Sequence, residues 1–339
     1  MSPPRLRLER RARLDLRDYP VDAAWSPDAT ALVIAGGDGS LQWIDVVAAT
    51  TQTLGTHAGG ALAVSWQGAG NRFASSGQDG EVRLWEARTK QGRVIHTADE
   101  WSERIAFASH GRWLAVATGR RITVYDADGV EQAVFGEHAG AIAALAWKPK
   151  SSELAAVGNG GARLHRLQPE PIQSRDHPWK GACLTASFSP DGRVLASGLQ
   201  DGSVHFWYLA AGTQSEMKGY GSKVSYTGWS GNGRSLATAA DDLIVIWDFG
   251  GRGPEGSEPL QLRGHTGRLT QLQCQPQGAH IVSGARDRRL LLWQPAQSRE
   301  PLDADLLNEE IALLRWSNNG QLLAAADRSG TLTIYALTR

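Results

Sequence analysis

Eight times along the 339-residue chain a short alternating run ends on an apolar anchor, and the anchors fall at a nearly constant interval. They are Trp25, Trp66, Phe107, Trp147, Phe188, Trp229, Cys274 and Trp316, spaced by 41, 41, 40, 41, 41, 45 and 42 residues. Such a period marks supersecondary units that cannot bury their apolar faces alone and must pack on their neighbours. Behind most anchors comes a polar turn, as in WSPDA, FSPDG, WSGNG and WSNNG. Next come an apolar run such as RVLASG, an Asp-Gly-like turn, a run ending in an aromatic such as VRLWE, and a weaker fourth run. Each unit therefore predicts four short strands joined by tight turns, with Asp79–Gly80 and Asp201–Gly202 expected as type I′ hairpins. No window keeps helical spacing, so the chain is predicted to be all-β.

Three segments repeat a fuller phrase: SSGQDGEVRLWE from Ser75, SGLQDGSVHFWY from Ser197 and SGARDRRLLLWQ from Ser283. With the period, the Gly-His-like step before the units and the ending Trp247–Asp248, the chain resembles the WD-repeat β-propellers. That resemblance implies an eight-bladed propeller of four-stranded antiparallel blades; seven blades with a stray unit is the alternative count. The eighth unit stops after its third strand, and the alternating segment 11–17 belongs to no unit. Placed as the missing strand, it closes the ring and covers a free edge. The expected layout is a disordered basic arm at 1–10 and one propeller domain at 11–339. Its blades are read at about 20–56, 61–97, 102–137, 142–176, 183–219, 224–263, 269–304 and 311–337 plus 11–17.

The resemblance also assigns the repeated polar residues. In WD-repeat propellers His, Ser or Thr, Asp and Trp form a hydrogen-bonded chain in the blade wall. By position the sets here are His57, Ser75, Asp79, Trp85; His265, Ser283, Asp287, Trp293; and His177, Ser197, Asp201, Trp207, the last with two extra loop residues. The sixth unit offers Tyr220, Thr238, Asp241 and Trp247. A hydrolase triad needs one exposed nucleophile and an oxyanion hole, whereas this grouping recurs blade after blade, so its expected role is satisfaction of buried polar groups. Units one, three, four and eight depart from the pattern and are expected to form a more adapted or mobile arc.

Composition narrows the function classes. Basic and acidic residues balance at 35 each, against the excess that nucleic-acid binding usually needs. No run reaches the length of a bilayer span, and MSPPRLRLERRAR lacks the apolar core of a secretory signal. Cys183 and Cys274 sit in strand patterns as free thiols. A soluble cytoplasmic protein, monomeric by itself, is expected; 29 arginines against 6 lysines suggest a bacterial source. No zinc-protease, phosphate-loop or nucleophile-elbow motif is present, and GGRGPEGSE (250–258) lacks the phosphate-binding Lys. No catalytic residue, metal or cofactor is predicted. A channel enzyme or metal-dependent site is the alternative, and nucleic-acid binding by a basic sector a lesser one.

The primary reading is a protein-interaction scaffold, its partner another protein or peptide. In WD-repeat propellers the d–a and b–c loops share the usual docking face. Carried over, the face holds Tyr19, Trp101, Trp179, Lys223, Arg268, Arg286, Arg288 and Glu310. Trp101 and Trp179 each read either as a docking residue or as a ring filling an incomplete blade. The basic residues of the sixth and seventh units suit an acidic peptide.

Overall fold

In the computed structural model, residues 6–136, 138–251 and 253–338 are described, and every regular element among them is a β-strand. The strands form eight antiparallel sheets arranged in a ring, an eight-bladed propeller. In the first seven blades the order follows the chain, from an inner strand a to an outer strand d. In the fourth blade strands b and c run on as one element, Glu153–Arg166. Its first half pairs with Ile142–Trp147 and its second half with Gln173–Ala182. The chain turns back at Gly160 and Gly161, both at positive φ, and Leu167 N–H donates to the Ser152 carbonyl.

Local chemistry explains the turns. Ser26 Oγ donates to Asp28 and accepts from the Ala31 N–H, and Ser189–Asp191–Val194 repeats the pattern. The WSPD and FSPD signatures are thus side-chain-closed a–b turns. The b–c turns differ from the type I′ expectation. Only the glycines, Gly80 at φ 73° and Gly202 at φ 79°, lie in the left-handed region. Asp79 keeps an ordinary φ because its carboxylate accepts from the Glu81 N–H, and Gly80 N–H donates to the Gly77 carbonyl. A Cβ at Gly80 would also fall 1.9 Å from the Ala98 carbonyl oxygen. This position needs glycine.

The core is divided into eight apolar clusters, one between each pair of neighbouring blades. Trp25, Leu32 and Ile34 of the first blade pack on Leu313, Leu332 and Ile334 of the eighth, so the circle is closed by burial. Anchor residues join the inner strands directly. The indoles of Trp25, Trp147 and Trp229 donate to the carbonyls of Arg315, Ala106 and Ser187, each on strand a of the preceding blade.

The closing strand is Arg7–Asp15, which pairs with Thr331–Thr338 as the outer strand of the eighth blade. It begins four residues before the segment predicted from alternation. Of the stretch read as a disordered arm, residues 1–5 lie outside the described residues, and Arg7–Arg10 are in the sheet. Arg7 and Glu9 are exposed and Arg10 is held in an ion pair with Asp305, so the stretch carries little apolar alternation, which hid the strand from a reading of the sequence.

Candidate functional site

Two kinds of polar constellation occur: networks within the blade walls and an open cluster at the mouth of the central channel. In the second blade, His57 Nδ1–H donates to Asp79 at 3.0 Å, Ser75 Oγ lies 2.8 Å from His57 Nε2, and Trp85 Nε1–H donates to Ser75 at 2.9 Å. A carboxylate only accepts and an indole only donates, so the chain of bonds has one direction and the imidazole is neutral. The seventh blade repeats it through His265, Asp287, Ser283 and Trp293, at 3.1, 2.7 and 2.8 Å. Burial holds both histidines below the ordinary imidazole range despite the carboxylate beside each. Ser75 and Ser283 are wholly buried, so neither is an accessible nucleophile.

The other assigned sets need correction. His177 belongs to the outer strand of the fourth blade, opposite Ala162, and bonds neither Ser197 nor Asp201. Ser197 donates to the Gly198 carbonyl, and Asp201 accepts from Ser203. The two extra residues leave His177 in the strand. Trp179 takes the vacated wall position, stacked on His205 with ring centroids 3.7 Å apart. Trp179 therefore packs on the fifth blade and does not line the channel-mouth cavity. In the sixth blade Tyr220 OH lies 2.5 Å from Thr238 Oγ1 and accepts from Trp247 Nε1 at 2.7 Å, while Asp241 takes no part through its side chain.

The divergent blades are not stripped of networks. His96, unassigned from the sequence, lies 2.8 Å from Tyr125 OH and 3.2 Å from Thr118 Oγ1 in the third blade. In the fourth, His138 donates through Nδ1 to the Arg120 carbonyl, and its Nε2 faces His165 Nε2 at 3.0 Å. Burial holds both rings below the ordinary imidazole range and so neutral; His165 Nε2–H then donates to His138 Nε2, and its Nδ1 accepts from Ser174 at 2.8 Å. Burial and the neighbouring imidazole push His165 down to about 3. In the eighth blade the buried Asp327 accepts from four backbone N–H groups, those of Asn308, Glu309, Ser329 and Thr331.

The docking-face residues separate into two groups. Tyr19, Lys223, Arg268, Arg286 and Glu310 line one open cavity of about 550 Å3, joined by Gln78 and Arg328. Its walls come from blades six, seven, eight, one and two. Blades two and six are not neighbours, so the space they share lies over the ring axis. Glu310 sits between two arginines, 3.6 Å from Arg286 and paired also with Arg328. Trp101 stands apart on the second-to-third-blade loop, 51% exposed, and Arg288 points to the Asn308 carbonyl outside the cavity. Gln78 and Arg328 stand just before the turn residues Asp79 and Ser329, the position that Arg286 holds before Asp287. Among the described residues no three His, Cys, Asp or Glu side chains converge as a metal site.

The eight sheets in a ring, with complete His–Ser–Asp–Trp networks in the walls of blades two and seven, make the chain a β-propeller. The family model "WD domain, G-beta repeat" matches residues 49–86, 170–208, 213–248 and 256–294. The chain is 28% identical over 244 residues to the B-type cell cycle switch protein ccs52A of Medicago truncatula, covering 68% of this chain and 50% of that protein. It is 26% identical over 255 residues to the WD repeat-containing protein srw1 of Schizosaccharomyces pombe, covering 72% and 45%. Over 278 residues it is 24% identical to Cell division cycle 20.4, cofactor of APC complex, of Arabidopsis thaliana, covering 80% and 45%. The chain thus spans about half the length of the curated relatives it matches. These relatives are eukaryotic, and the bacterial source inferred from arginine usage finds no support in them.

Proposed function

We propose that the chain is a non-catalytic WD-repeat scaffold of the cytoplasm that docks another protein or a peptide over the channel mouth. The observation that carries this reading is the convergence of Tyr19, Lys223, Arg268, Arg286, Glu310 and Arg328, from four blades, on one open cavity. Aromatic and arginine side chains concentrate binding energy at protein interfaces. The likeness to a protein named as a cofactor of the APC complex supports an adaptor role. The His–Ser–Asp groups are spent inside the walls, where they satisfy each other and reach no substrate.

The test is quantitative affinity capture from the source organism with the native chain and a chain carrying Arg268→Ala and Arg286→Ala. The expected result is a set of proteins recovered only by the native chain, with equal melting temperatures for both. Identical recovery by the two chains would overturn the assignment of the face.

A further inference from the structure

The channel mouth is chemically divided. Along blades six to eight it presents Lys223, Arg268, Arg286 and Arg328 around a single carboxylate, Glu310. That carboxylate is largely shielded, with 19% of its side-chain surface exposed, while Arg286 and Arg328 remain 61% and 66% exposed. Lys223 and Arg268 are exposed, and neither forms an ion pair or a side-chain hydrogen bond with another described residue. Across the mouth, blades one and two present Tyr19, Val21 and Leu62. Tyr19 lies over Gly37, where a Cβ would fall 2.3 Å from its ring. Glycine at 37 lets the ring lie flat against the backbone, yet Tyr19 remains 46% exposed.

Building on the docking reading above, we infer that the mouth takes a partner segment carrying an acidic side chain next to an apolar one. The acid sits over Arg268 and Lys223, and the apolar side chain lies against Tyr19. Glu310 shows the ligand type the cationic arc accepts, because one carboxylate is already held between two guanidinium groups. Its single charge leaves the arc with an excess of cations, and guanidinium groups pair with carboxylates through forked donors. In a partly enclosed mouth the field of these cations is focused rather than dissipated. A basic or neutral segment would leave that excess uncompensated. Across the gap, the apolar arc sets a second requirement that a uniformly charged chain does not meet.

The experiment is selection from a displayed random-peptide library on the intact chain, repeated on Arg268→Glu and on Lys223→Glu/Arg268→Glu. Selected peptides should be enriched in Asp or Glu adjacent to a large apolar residue. The charge-reversed chains should lose these peptides, with affinity for a synthetic copy of the best one falling by at least about tenfold. The Arg268→Gln chain should show an intermediate loss, and circular dichroism should be unchanged for all. Selected peptides without acidic enrichment, or acidic peptides still bound equally by the reversed chains, would overturn the inference and leave the docking reading standing. Recovery of no peptide at all would remove the docking reading with it. A DNA oligonucleotide that binds more tightly than every selected peptide would assign the cationic arc to a phosphate backbone instead.

Discussion

The hydroxyl of Tyr335 donates a 2.7 Å hydrogen bond to Asp305, which lies on the outer strand of the neighbouring blade. The same carboxylate accepts two bonds from Arg10 of the closing strand, at 2.7 and 2.5 Å. These contacts hold Asp305 below the usual carboxylate range, and burial with the adjacent carboxylate pushes the Tyr335 phenol up. One acid therefore ties the first strand, the last strand and the seventh blade together. Asp305→Ala leaves the Tyr335 hydroxyl without its acceptor and is expected to cost about 1–3 kcal/mol in urea unfolding. A loss below the error of the measurement would show that the clasp adds nothing to closure.

The wall networks differ in completeness, and stability should follow. Trp85→Phe removes the indole donor to Ser75 and is expected to destabilise by about 1 kcal/mol. Trp207 has no partner for its buried N–H, so Trp207→Phe is expected to be neutral or slightly stabilising. Asp79→Ala and Asp287→Ala should each cost about 1–3 kcal/mol and should add in the double variant, since they stand in separate blades. Asp201→Ala should cost less than either. Equal losses for Trp85→Phe and Trp207→Phe would contradict the assignment of bonds.

The two loop tryptophans give a second contrast. Trp179→Ala removes a part-buried ring stacked on His205 and is expected to cost about 1–3 kcal/mol. Trp101→Ala removes a half-exposed ring and should shift stability by less than about 0.5 kcal/mol. Thermal melts of the two variants decide the matter, and a reversed order would exchange their roles.

The paired imidazoles of the fourth blade make stability depend on pH. His138 and His165 are neutral when folded, both held below the ordinary value of 6.5, whereas the unfolded chain protonates them near that value. Below about pH 6.5 the unfolded state binds more protons, so stability falls with pH, and His165 contributes down to its folded value of about 3. The loss per proton is about 1.4 kcal/mol per pH unit. Denaturant midpoints between pH 7 and pH 4.5 should decline, and His165→Gln should decline less steeply than the native chain. Parallel slopes would mean that the pair does not carry this proton linkage.

These contrasts also show which parts of the molecule could be read from its sequence. The anchors at Trp25 and Trp229 were legible because periodic burial repeats at a fixed interval, and the blade-two and blade-seven networks because His and Ser keep a separation of eighteen residues. His177 misled because two inserted residues moved it into a strand, which only the pairing with Ala162 reveals. His96 was missed because it serves Tyr125 from a strand instead of a loop. Substitution of His by Tyr220 preserved a donor and acceptor but released Asp241, whose identity alone still looked right. The mouth residues come from widely separated segments, and only ring closure brings Tyr19 of the first blade to the cavity shared with Lys223 of the sixth.

Hydrogen–deuterium exchange of the intact chain, with and without an acidic–apolar peptide chosen by selection, tests the docking face most directly. Protection is expected at residues 19–21, 223–226, 268–271 and 310–312, whose backbones border the mouth, with the outer strands unchanged. Protection confined to outer strands such as Gln91–His96 or Gln173–Ala182, with the mouth exchanging as before, would contradict it.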